Sequence, residues 1–241
     1  MSNKSDEKGK YLLQSWSDKG HPIANHSFNH PNFNNPKLSV EDFEQQLLMT
    51  DSISSNYTMY SKYFRFPYLK EGNTKEKIEG IRNVLDKHGY KNGYVTVDAS
   101  DWFVNSELIK AINKYGQNDS LINEYKKFYI SHIIDRAKYY EDLSFRINGR
   151  HIKHNLLLHH NLSSALFLKD LLIEFKKLGW DLTDANTAFQ DSIYSKRPDI
   201  IPAGECLIWA LAKEAGEYED ELRYPAESSK YEKAKMENCN G

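Results

Sequence analysis

Two histidines four residues apart, His26 and His30 in His26-Ser-Phe-Asn-His30, close a short apolar run from Pro22 to Asn25. Imidazoles at this spacing lie on one side of a helical turn or compact loop, so both can reach one cation at the roughly 2.0–2.1 Å that zinc requires. A catalytic zinc takes three protein ligands and a water, so the pair supplies only part of a site. The same spacing is also that of two surface histidines near a strand end. Three further groups follow, each after a short apolar or β-branched run: Arg65-Phe-Pro-Tyr68, Asp98-Ala-Ser-Asp101-Trp102 and Leu156-Leu-Leu-His159-His160.

The elements that must position these groups alternate between strand and helix patterns. Glu7 to Lys19 reads as a helix with Tyr11, Leu12 and Trp16 as its apolar side, stopped by Gly20. A buried strand at Pro22 to Asn25 would deliver His26. Ser39 is the expected N-cap of the next helix, with Asp42 at the third position of a capping box and Val40, Phe43 and Leu47 facing inward, the helix ending near Asn56. Tyr63 to Phe66 reads as a strand bounded by Pro67, and Thr74 to His88 as a helix stopped by Gly89.

Gly93 to Val97 is the clearest strand pattern, being β-branched and followed by acidic residues. Helices are expected at Asn105 to Tyr115 and Ser120 to Phe145, then a continuous apolar strand at Asn155 to Leu158 leading to His159. Ser163 to Leu178 places Leu168, Leu171, Leu172, Phe175 and Leu178 on one helical face. A short strand at Trp180 to Leu182 and small helices at Thr183 to Gln190 and Glu205 to Ala215 complete a domain over residues 1–216. From Glu217 to Gly241 the chain is charged, poor in aliphatic residues and expected to be a loosely attached tail.

Strands alternating with helices predict an α/β protein with a parallel sheet and helical crossovers, and polar residues at strand ends fit the rim of a (β/α) barrel. With 241 residues, one large domain with a substantial core is expected. A net charge of −2 and a pI near 6.5 argue against a broad basic face for nucleic acid. Cys206 and Cys239 are too few for a disulfide framework or a thiolate metal site. No run approaches the length of a bilayer span, and Met1 to Tyr11 is polar without the apolar centre of a signal peptide.

The ordered set of groups resembles four of the five motifs of the polysaccharide deacetylase family, also called carbohydrate esterase family four, over roughly Gly20 to Asn161. The first motif, a strand ending in Thr-Phe-Asp-Asp, is missing from the sequence. The resemblance implies an irregular seven-stranded (β/α) barrel, incomplete here because the chain starts just before the third strand of that fold. It implies a metal-dependent hydrolase that removes acetyl groups from an N-acetylated polysaccharide or oligosaccharide, or an inactive relative that at most binds sugar or metal.

By the same resemblance His26 and His30 hold a divalent metal, zinc above all, whose third ligand is an aspartate of the missing motif, and a second aspartate there is the general base. Arg65 orients that base, and the backbone N–H at Tyr68 stabilises the oxyanion. His159 is the general acid, and Asp101 holds its imidazole. Trp102 and Leu157 wall the acetyl methyl. His160 departs from the family, standing where many members have an acidic residue. Asp98 receives no role, and His21, His88, His132, His151 and His154 are expected to be structural or solvent-facing.

Overall fold

The computed structural model describes residues 7–223 and 229–236. These fold into two compact units, the first built from residues 7–94 and 185–210 and the second from residues 95–184, 211–223 and 229–236.

In the first unit, α1 (Glu7–Asp18) leads into β1 (Ile23–Asn25). Helix α2 (Val40–Ser54) starts as its sequence dictates: Ser39 Oγ accepts from the Asp42 N–H, and the Asp42 carboxylate accepts from the Ser39 N–H. Strand β2 (Tyr60–Phe64) precedes β3 (Lys70–Gly72), helix α3 (Lys75–Lys87) and β4 (Lys91–Asn92). Strands β1, β2 and β4 form a parallel sheet with β2 in the middle. Phe43 and Leu47 of α2, Ile81 and Leu85 of α3, and Phe33, Phe64 and Phe66 make the core beside it. Phe43 touches three of these rings at centroid distances of 4.5–5.8 Å, so this core is a web of aromatic contacts.

The second unit opens with β5 (Val97–Asp98) and α4 (Asp101–Tyr115), then the 30-residue α5 (Asp119–Asn148), β6 (Leu156–Leu157) and α6 (Leu162–Lys177). Strands β5 and β6 pair in parallel, Val97 with Leu156 and Asp98 with Leu157. Helix α5 packs on α4, α6 and β5, turning Tyr125, Tyr129, Ile133, Ala137 and Tyr140 inward. Further along the chain, α7 (Ala185–Ala188) and β7 (Ala203–Gly204) follow in the first unit, where β7 pairs antiparallel with β3. Helix α8 (Leu207–Ala215) comes next, and α9 (Lys230–Met236) ends the described residues.

Helix and strand are mixed as an α/β reading requires, but among the described residues the strands form three small sheets and no closed barrel. Several expectations change. The run Gly93 to Val97 is not one strand, because its backbone bonds divide: Gly93 donates to Phe64 O (2.7 Å), whereas Thr96 and Val97 donate to Asn155 O. The strand before His159 shrinks to two half-buried residues, and the strand before Arg65 begins and ends earlier than the sequence suggests. Trp180 to Leu182 is not a strand.

On α1 the buried residues are Gly9 and Ser17, while Tyr11 is 71% exposed, Trp16 is also exposed and Leu12 is half-buried. On α6 the inward stripe is Phe167, Leu171 and Phe175, spaced by four, and Leu172 and Leu178 face solvent. Helix α4 starts four residues before its expected start, so Asp101 and Trp102 stand in its first turn rather than at a strand end. In the segment expected to be a loose tail, α9 buries Glu232 and Met236. Cys206 is a buried thiol, and Cys239 lies outside the described residues.

Candidate active-site groups in two units

In the first unit β1 ends at Asn25 and the chain turns sharply, with Ser27 and His30 both at positive φ (61° and 54°). The Asn25 side chain pins this turn: its Oδ1 accepts from the Ser27 N–H (3.0 Å), and its Nδ2 donates to Leu47 O (2.9 Å) and Tyr90 Oη (3.0 Å). The result sets the His26 and His30 rings edge to face, 4.8 Å apart, with Tyr68 against His30 at 4.7 Å. His26 Nδ1 lies 2.7 Å from Arg65 O. A carbonyl only accepts, so the proton stands on Nδ1 and the lone pair on Nε2, the arrangement that backbone carbonyls impose on metal-binding histidines.

Arg65 follows β2, and its Nε donates to Gly93 O (2.9 Å). Tyr68 sits in a 3-10 turn (Pro67–Leu69) with φ 56° and an exposed ring. His26, His30, Arg65 and Tyr68 are thus gathered at the ends of two adjacent parallel strands. As cation donors both imidazoles fit in chemistry, and His26 fits in tautomer as well. Among the described residues, however, no group of three or more His, Cys, Asp or Glu stands together as a metal set.

In the second unit β5 and β6 bring Asp98-Ala-Ser-Asp101 beside His159. Asp101 is buried and accepts three hydrogen bonds: from the His159 N–H (2.8 Å), from His159 Nδ1–H (2.6 Å) and from Asn161 Nδ2 (3.0 Å). The His159 side chain is 46% exposed against 1% for Asp101, so the imidazole reaches solvent while its carboxylate does not. That is the geometry of a carboxylate fixing an imidazole tautomer, with the proton on Nδ1. Trp102 is exposed on the first turn of α4, Leu157 is half-buried on β6, and His160 is exposed.

The other histidines differ in setting. His88 bonds Glu44, His154 and His151 share Glu141, and His132 is buried in a charged cluster on α5.

A cavity of about 570 Å³ in the first unit touches the motifs only through Phe66 and is lined by Tyr63, Glu71, Arg82, Asn92, Phe189 and Arg197 among others. Phe189 stacks on Tyr63 at 4.4 Å, and Arg197 grips Asp86 through two bonds of 2.6 and 3.0 Å. Burial pushes the Glu71 carboxyl up to about 7, against the opposing pull of Asn92 Nδ2 (2.9 Å) and the Arg82 guanidinium. Its ordinary value is 4.5, so between those two values the unfolded chain releases a proton that the folded chain retains. Stability therefore falls as pH rises through this window, by about 3 kcal/mol from this group. Urea unfolding at pH 5 and pH 8 should show the drop, and Glu71→Gln should flatten it; an equal drop in the variant would assign it elsewhere.

Residues 1–93 match the family model described as polysaccharide deacetylase. No curated protein and no solved structure matches the chain. The matched segment holds His26, His30, Arg65 and Tyr68, whereas Asp101, Trp102, Leu157 and His159 lie beyond it. With this match, the segment that carries the paired histidines and the Arg-Phe-Pro-Tyr turn is similar to the polysaccharide deacetylase family.

Proposed function

We propose that this chain is a carbohydrate deacetylase, a hydrolase of the carbon–nitrogen bond in N-acetylated sugars, with His159 as the general acid. The observation that carries the reading is the doubly anchored pair: Asp101 accepts from both the backbone N–H and the Nδ1–H of His159. Fixing Nδ1 as a donor leaves Nε2 to carry the proton delivered to the departing sugar amine. The buried carboxylate stabilises the imidazolium that must form before that delivery.

Arg65 and Tyr68 take the roles that the family gives them, orientation of a carboxylate base and donation of a backbone N–H to the oxyanion. Trp102 and Leu157 supply apolar surface for the acetyl methyl. His26 and His30 are the residues that would hold a divalent cation, zinc by the donor type. Such a cation, when bound, polarises the acetyl carbonyl and acidifies a water. Calorimetric titration with zinc should show binding that His26→Ala weakens by more than about 100-fold, beyond the cost of losing an outer-shell partner. Unchanged affinity in that variant would remove the pair from the account. The irregular (β/α) barrel is the architecture this reading carries with it.

A second reading is favoured by one fact of the sequence: it contains no Thr-Phe-Asp-Asp, the source of the base and of the third metal ligand in the family. Under it the chain is an inactive relative that binds sugar or metal. Acetate release from N-acetylglucosamine oligomers with added zinc or cobalt separates the two. Turnover supports the enzyme, and sugar binding without turnover supports the relative.

A further inference from the structure

We propose that His132 and Arg136 of α5, with the Glu232 carboxylate of α9 close behind His132, are positioning residues that hold the loop carrying Asp101 and so keep His159 oriented. The inference rests on the reading of His159 as the acid.

Between β5 and α4 the backbone must turn within two residues, and it does so with Ser100 in the left-handed region (φ 48°, ψ 38°). A side chain other than glycine is strained there and stays only where its surroundings leave no alternative. Asp101 follows directly, so any relaxation at Ser100 displaces the carboxylate that fixes His159.

The two carbonyls before Ser100 are both gripped from α5. Arg136 Nε donates to Asp98 O (3.1 Å), and His132 Nε2 lies 2.8 Å from Ala99 O as its donor. These residues are one helical turn apart on the inward face of α5, so a single rigid helix sets both contacts. Behind them, Glu232 Oε1 lies 3.3 Å from His132 Nε2, and the Arg136 guanidinium stacks near the Tyr140 and Tyr231 rings at 5.5 and 5.9 Å.

All three ionisable groups are almost fully buried, and a buried charge cluster is a costly way to fill a core. Apolar side chains would pack the space equally well, but none can donate to a carbonyl. The polar choice is explained by the two carbonyls it holds, one and two residues before the left-handed Ser100.

The test uses the full chain with 15N-labelled histidine and follows the downfield Nδ1–H proton of His159, assigned by its loss in His159→Ala. His132→Phe keeps the ring volume and the stacking on Phe128 (5.6 Å, interplanar angle 5°) but removes the donor. His132→Gln retains one. The Nδ1–H should exchange at least tenfold faster in His132→Phe, with kcat lowered about tenfold and KM within twofold, while His132→Gln stays close to the unaltered protein. Arg136→Met gives the same test at the other carbonyl.

An unchanged exchange rate in a folded His132→Phe, or loss of fold in both His132→Phe and Arg136→Met, would overturn the assignment and leave a purely structural cluster. The exchange measurement needs no turnover, so failure of the deacetylase reading and failure of this inference are seen separately.

Discussion

Replacing His159 by alanine is expected to lower acetate release from N-acetylglucosamine oligomers by about 10²- to 10⁴-fold, the range that a positioned general acid contributes. The substitution leaves the fold largely untouched. Asp101 keeps two of its three hydrogen bonds, because one comes from the His159 backbone and another from Asn161. The imidazole itself is close to half exposed, so only part of its packing is lost. Asp101→Asn should lower kcat as well, by removing the acceptor that fixes the tautomer, with KM little changed. Steady-state kinetics on both variants decide the matter, and rates within twofold of the unaltered protein would remove the pair from the chemistry.

Phe43→Ala should destabilise the first unit by about 3–5 kcal/mol, the usual cost of deleting a fully buried aromatic side chain from a core that cannot collapse. Phe43 is fully buried, with Phe33, Phe64 and Phe66 on three sides at ring distances of 4.5, 5.7 and 5.8 Å. Phe33 is held on one segment and Phe64 and Phe66 on another, at the end of β2, so the rings cannot simply close over the space left behind. Urea unfolding should show a lower midpoint with a similar slope. Phe43→Leu, which keeps much of the volume, should cost markedly less.

How much of this was legible in the sequence depends on whether the signal was local. The capping box at Ser39 and Asp42 is read from four residues and folds as read. Helices α2, α3 and α6 lie within a few residues of their apolar patterns. His26 was placed after a strand at Pro22 to Asn25 and His159 after one at Asn155 to Leu158, and each does follow a strand, whereas Arg65, expected inside its strand, follows β2. Asp101 and His159 were paired through the family resemblance, and the side chains do meet.

What escaped was set by partners distant in the sequence. Gly93 to Val97 has the composition of one strand, but its hydrogen bonds go to Phe64 and to Asn155, two acceptors that nothing local announces. Leu172 and Leu178 match the helical period yet face solvent, because Phe167, Leu171 and Phe175, spaced by four, already fill the seam. Glu71 shows no sign of burial in Lys70-Glu-Gly72.

His132 and Arg136 did leave a trace, since they occupy the inward register of α5 beside Tyr129, Ile133 and Tyr140. A polar pair on an apolar face signals a buried network. Glu232 left none, sitting in a charged segment whose composition resembles a solvated tail.

The central claim, that this chain deacetylates sugars, is tested most directly by incubating the unaltered protein with chitooligosaccharides and zinc or cobalt and measuring acetate together with the mass of the sugar product. Acetate and oligomers lighter by whole acetyl groups, dependent on the added cation, are the expected result. Oligomers that are bound but returned at their original mass, with no acetate, would contradict it and establish the inactive relative instead.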